Sequence, residues 1–144
     1  MTTNVKQMME AANAAVPKIT PAQAREMISK GNTLVVDVRD APEVEKSGKI
    51  AGAVNVSRGM LEFRADPESP YHDKNFSRDK TLILYCASGG RSALSGKVLK
   101  DMGYPKSIPS AGSRIGPTAA ARWKRRPDRH DFHCEKVVGW AKAR

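Results

Sequence analysis

Thr81-Leu82-Ile83-Leu84-Tyr85-Cys86-Ala87-Ser88-Gly89-Gly90-Arg91-Ser92 is the stretch whose reading decides the fold. Leu82 to Tyr85 is a short apolar run without polar alternation, the pattern of a strand buried on both faces of a parallel sheet. From Arg91 to Met102 the apolar residues Ala93, Leu94, Val98, Leu99 and Met102 recur at helical spacing. Strand, tight loop and helix in that order are half of a βα unit. In an open α/β sheet ligands bind at the C-terminal strand edge, and a helix N-terminus there offers unpaired N–H groups and a positive dipole end to an anion. Gly89 and Gly90 let the loop curl so that several amides converge where Cys86 stands. The same field stabilises a thiolate, which makes Cys86 a candidate nucleophile of lowered pKa, and Arg91 adds a fixed charge with a bidentate donor fork. Alone, Cys86 reads as a buried small hydrophobe and the glycine pair as a turn. Their combination with Arg91 and the helix in one segment favours the functional reading.

Outward from this segment the pattern repeats. Thr33-Leu34-Val35-Val36-Asp37-Val38 and Ala53-Val54-Asn55-Val56 read as further buried strands, with short helices at Pro42 to Lys46 and Arg58 to Arg64 and a polar loop from Ala65 to Lys80. Thr20 as N-cap, Pro21 at the first helical position and Lys30-Gly31 as the stop predict a helix over 21–30. Asn4 caps an earlier helix that Pro17 ends, giving an N-terminal helical arm over residues 1–17. Strands alternating with helices predict an α/β fold, a central parallel sheet with right-handed crossovers flanked by helices. The next unit spans residues 18–105, and an atypical basic segment spans 106–144.

Composition narrows the function. The 144 residues form one domain, and a chain of this size buries roughly two thirds of the surface its unfolded form exposes, so neither disulfides nor a structural metal is needed. Two cysteines suit a reducing compartment. No apolar run approaches the roughly 18 residues of a membrane span, and the N-terminus has no leader pattern, so the expectation is a soluble, cytoplasmic protein without a membrane partner. The net charge of +10 is uneven: residues 1–105 carry 15 Lys+Arg against 12 Asp+Glu, and residues 106–144 carry 10 against 3. A charge concentrated in the tail argues against a nucleic-acid partner. His130-Asp131-Phe132-His133-Cys134 lacks the spaced pairs of a structural zinc site, and neither a metal nor a cofactor is expected.

The motifs together resemble the rhodanese-like domain family of single-domain sulfurtransferases. Val36-Asp37-Val38-Arg39-Asp40-Ala41-Pro42-Glu43 looks like the family's D-x-R-x-x-x-E signature, and Gly48-Lys49-Ile50-Ala51-Gly52-Ala53-Val54-Asn55-Val56 looks like its G-H-I-x-G-A stretch, with Lys49 in place of the usual His. Cys86 to Arg91 matches the six-residue C-x4-R loop, whereas related phosphatases and arsenate reductases carry C-x5-R. The shorter loop encloses a smaller anion and favours sulfur over phosphate chemistry. The resemblance implies a five-stranded parallel sheet with strands near Lys18 to Thr20, Thr33 to Val38, Ala53 to Val56 and Thr81 to Tyr85, the last strand being in doubt. It implies Cys86 as the catalytic residue, Ala87, Ser88, Gly89, Gly90, Arg91 and Ser92 as the anion-binding loop, and Asp37, Arg39 and Glu43 as supporting residues. The reaction implied moves a sulfane sulfur from a small anionic donor such as thiosulfate, through a Cys86 persulfide, to a thiol or protein acceptor. The alternatives are an anion enzyme of the phosphatase or arsenate-reductase kind and a non-catalytic binding module. Spacing alone predicts an ion pair between Arg39 and Glu43, four apart at a helix start. Asp37 is expected to accept backbone N–H bonds, Arg58 to be a solvated helix residue with the pocket rim as its alternative place, and His72 to be exposed in the polar loop.

The resemblance stops at Lys106. Family members run a strand, a helix containing Trp and a Gly-Gly turn there; this chain has Ser107-Ile108-Pro109-Ser110-Ala111-Gly112-Ser113-Arg114, a poor buried strand. Read one base out of phase, with a G restored before the Ser107 codon, permitted codons for Ser107 to Asp128 can encode VYTIGGFEDWADSGGAVEKAS and a stop. That string has the family's ending, so the expected cause is a single-base deletion near the Lys106 and Ser107 codons. The expected consequence is loss of the fifth strand and its following helix, an exposed sheet edge and a mobile or misplaced basic tail.

Overall fold

The computed structural model of the chain describes residues 2–110, 112 and 118–119. Elements follow in the order α1 Val5–Ala15, α2 Pro21–Ser29, β1 Thr33–Asp37, α3 Ala41–Ser47, β2 Lys49–Ile50 and β3 Val54–Asn55. A 3-10 turn, Arg58–Met60, then leads into α4 Leu61–Ala65, β4 Thr81–Tyr85, α5 Gly90–Asp101, β5 Ser107–Pro109 and β6 Thr118–Ala119. The capping residues read from the sequence do their work: Asn4 accepts from the Gln7 N–H at 2.9 Å and Thr20 from the Gln23 N–H at 3.2 Å.

Four strands form a parallel sheet in the order β3-β1-β4-β5. The central pair is in register from Thr33 opposite Thr81 to Asp37 opposite Tyr85. Its two faces bury different clusters. Leu34, Val36, Leu82, Leu84 and Cys86 meet Leu61, Ala65, Leu99 and Tyr104 on one face, and Val35, Ile83 and Tyr85 meet Ala24, Ile50 and Ala53 on the other. Burial on both faces is what the uninterrupted apolar runs require. The N-terminal arm packs α1 on α5, where Ala12 and Val16 are buried. Gly96 permits the close approach of α5 to β5: a Cβ there would lie 3.1 Å from Pro109 Cδ, while Val16 Cγ1 of the arm would be in ordinary contact at 3.6 Å.

Three expectations change. The strand at Lys18 to Thr20 shrinks to a single parallel bridge between Ile19 and Ser110, held by the Ile19 N–H to the Pro109 carbonyl at 3.0 Å. The strand at Ala53 to Val56 shortens to Val54–Asn55, which pairs with Val36 and Asp37. The last strand of the parallel sheet, expected to be lost, is present as β5, with Leu82, Ile83 and Leu84 opposite Ser107, Ile108 and Pro109. Pairing survives the proline because of parity. Ser110 donates its N–H to Leu84 at 2.8 Å, so the position before it turns its nitrogen to the other side, where β4 asks for no donor. Ser107 is buried but satisfied, its hydroxyl donating to the Tyr104 carbonyl at 2.9 Å. The segment whose helix was expected to be lost after β5, Trp123 and the His130–Cys134 group lie outside the described residues.

Candidate active site

The parallel sheet brings three chain segments to one edge. The Val38 N–H donates to the Tyr85 carbonyl at 3.0 Å and the Arg58 N–H to the Val38 carbonyl at 3.2 Å, so the ends of β4, β1 and β3 lie side by side. Cys86 follows β4 directly. It is fully buried, while the next two loop residues, Ala87 and Ser88, are exposed. Gly89 turns the loop with φ at 95°, a left-handed conformation that glycine adopts without strain, and α5 starts at Gly90. The Gly89 N–H thereby points at the sulfur, 3.1 Å from Cys86 Sγ. Burial is the largest influence on the thiol and pushes its pKa up, but N–H groups of Ser92, Gly89 and Ser88 and the Ser92 hydroxyl together outweigh it, and the pKa lies below the ordinary cysteine value. The start of the helix thus favours the thiolate form of the sulfur.

Ser92 ties the loop to the sheet. Its hydroxyl is 3.8 Å from the sulfur, 3.1 Å from the Gly89 carbonyl and 3.2 Å from the Ser110 carbonyl. The chain beyond β5 therefore braces the loop, and a Cβ on Gly112 would stand 3.5 Å from the Ala87 carbonyl oxygen.

The carboxylate pairing differs from the spacing argument. Arg39 does not pair with Glu43; its guanidinium donates to both oxygens of Asp37, the shortest contact being 2.6 Å, and to Ser47 Oγ and the Gly48 carbonyl at 2.8 Å. Glu43 instead clamps Arg91, with contacts of 2.6 and 2.8 Å across the fork. The reason is geometric: β1 is flanked by β4, so Asp37 turns to the buried side and takes Arg39 with it, which leaves Glu43 on α3 facing the start of α5. Hydrogen bonds from Arg91, then from the Asp40 N–H, hold the Glu43 carboxyl down at about 2. The same pair raises Arg91, and the Cys86 thiolate adds to the rise, so the guanidinium feels the sulfur although its donors are engaged by Glu43.

Asp37 accepts the Arg39 N–H at 3.1 Å as a backbone partner, but its main partners are side chains. Tyr85 donates to Asp37 Oδ2 at 2.8 Å and accepts the Ile50 N–H at 3.1 Å, so the hydroxyl before Cys86 joins β4 to β1 and β2. An apolar strand reading of Leu82 to Tyr85 passes over this phenol; an aspartate at the same level of the neighbouring buried strand is the signal that points to it. Arg58 and His72 are only partly in solvent. Arg58 is half-buried beside Glu62, and His72 is half-buried with Nδ1 3.1 Å from the Arg64 carbonyl. Among the described residues no group of three or more His, Cys, Asp and Glu side chains could hold a metal ion, and no helix is long and apolar enough to cross a membrane.

Comparison with known proteins agrees with this geometry. A family model described as the rhodanese-like domain matches residues 20–112. A solved protein from Rhodopseudomonas palustris, of unknown function and titled a possible tyrosine phosphatase, is 39% identical, with a TM-score of 0.73 over 78% of this chain and 87% of its own. A single-domain sulfurtransferase from Saccharomyces cerevisiae is 30% identical, with a TM-score of 0.54 over 68% of this chain and 85% of its own. Among curated proteins, a thiosulfate sulfurtransferase of Pseudomonas aeruginosa is 28% identical over 78% of this chain and 44% of its own length. The chain spans less than half the length of the curated relatives it matches, 18%, 47% and 44%.

Proposed function

This chain belongs to the rhodanese-like domain family, and on that premise we propose that it is a sulfurtransferase working through a persulfide on Cys86. The observation that carries the proposal is a buried thiolate-favouring cysteine at the floor of a short loop whose amides face its sulfur. Cys86 attacks the outer sulfur of a sulfane donor, thiosulfate being the simplest. A Cys86 S–S bond forms, the donor's S–S bond breaks, and sulfite leaves with the electron pair. A thiolate or cyanide acceptor then attacks the outer sulfur and returns Cys86 as thiolate. The loop from Ala87 to Ser92 stabilises the anionic persulfide through its N–H groups. Arg91 acts on the site by its charge, tuned by Glu43, while Asp37 and Arg39 hold the end of β1 against α3.

The loop has four residues between Cys86 and Arg91, which supports sulfur transfer over phosphate-ester hydrolysis. The test is incubation with thiosulfate followed by intact mass and peptide mapping, beside turnover of p-nitrophenyl phosphate. A gain of one sulfur on Cys86 supports the proposal. Ester turnover without sulfur gain replaces it with a phosphatase, and neither outcome leaves a binding module.

A further inference from the structure

We propose that Arg58 is a second anion-binding residue of this site, which grips the oxyanion end of the sulfur donor while Cys86 takes its outer sulfur. The inference rests on the sulfurtransferase reading. Its first support is position. Arg58 bonds Val38, which bonds Tyr85, so two strand spacings of about 4.8 Å separate its backbone from the residue before Cys86. Met60 and Leu61, in the same turn, pack in the cluster that contains Val38, Val56 and Cys86. The Arg58 backbone therefore lies at the same C-terminal edge of the sheet as the nucleophile, two strands away.

The second support is an unfilled donor. Arg58 Nη1 meets Glu62 Oε1 at 2.9 Å, while its Nε–H is buried and has no partner. The Nε–H, one donor of the fork that can receive two oxygens of one anion, thus lacks a protein partner, and a small turn of the covered guanidinium is needed to present it. The other two arginines of the site are committed, Arg39 to Asp37 and Arg91 through two donors to Glu43. A pairing of residues four apart on a short exposed turn, with the Glu62 side chain 41% exposed, is weak and does not offset a buried N–H left unmade. Donor oxygens would give that Nε–H the partner it lacks. Thiosulfate, with three oxygens on its inner sulfur, suits that fork; a hydropersulfide with an uncharged tail has nothing to place there.

The experiment compares wild type with Arg58→Gln and Arg58→Lys, using thiosulfate and the hydropersulfide of an uncharged thiol as donors. Wild type must first gain sulfur on Cys86; failure with both donors overturns the sulfurtransferase reading itself. Given that gain, Arg58→Gln should raise KM for thiosulfate about tenfold with kcat within about twofold, and leave loading from the uncharged hydropersulfide unchanged. Arg58→Lys, which keeps charge but loses the fork, should fall between the two. An unchanged KM in Arg58→Gln, or an equal loss with both donors, overturns the proposal. If Arg58→Gln does not fold, Arg58→Lys decides by the same donor comparison.

Discussion

At Cys86 two opposed effects meet, and the hydrogen bonds win over burial. Cys86→Ser should abolish sulfur gain from thiosulfate while leaving Tm within a few degrees, because the swap changes little volume but removes a thiol whose pKa the loop lowers; persisting thiocyanate production at a similar rate would refute the assignment. The lowered pKa also sets a pH profile. Alkylation of Cys86 by iodoacetamide should rise with pH through a midpoint below the roughly 8.5 of a free cysteine. The sign for stability follows from the same depression: the thiolate's contribution is present above the unfolded pKa and is lost as pH falls through the folded one. Arg91 contributes by charge, so Arg91→Ala should shift the alkylation midpoint upward. Its half-exposed clamp with Glu43 is worth about 0–1 kcal/mol, so thermal unfolding should move little. A large loss of Tm without a shift in the midpoint would make Arg91 structural.

At the scale of elements, β5 is the strand under strain of composition. Ser110 is completely buried and its hydroxyl has no partner, a cost of about 1–3 kcal/mol. Ser110→Ala should therefore stabilise the chain, raising the urea midpoint at constant m and Tm by about 2–6 °C for each kcal/mol recovered; a fall in either would mean that the hydroxyl is satisfied in solution. Ser107, whose hydroxyl is bonded, should show the opposite sign on the same substitution. The contrast separates a serine that fits β5 from one that is merely tolerated just beyond its end.

At the scale of the whole molecule, the family's match runs from residue 20 to residue 112, and the composition turns basic after residue 105. The out-of-phase reading of the tail puts Val at 107 and Ile at 110, apolar residues at two of the buried positions where the chain has serine. A chain carrying VYTIGGFEDWADSGGAVEKAS in place of residues 107–144 should melt higher and transfer sulfur faster than this one. Equal stability and rate would make the present C-terminus a fitted part of the fold, and the gene's own sequence across the Lys106 codon decides the cause.

The parallel sheet and the proposed nucleophile were both legible in the chain, because both depend on local pattern: β-branched and leucine runs too uniformly apolar for any but a doubly buried strand, and a Cys-to-Arg loop with glycines where the backbone must turn. Leu82 to Tyr85 and Cys86 to Ser92 carry that information within a dozen residues. The partners of Asp37, Arg39, Glu43 and Arg91 were decided only by the tertiary structure. Residues 43 and 91 lie on different helices, and nothing local favours their meeting over the pair four residues apart; the pairing of β1 with β4 sets which carboxylate faces which guanidinium. The survival of β5 was likewise invisible in its composition. It depends on which side of the strand Pro109 turns its missing donor toward, and that parity exists only once β4 lies alongside.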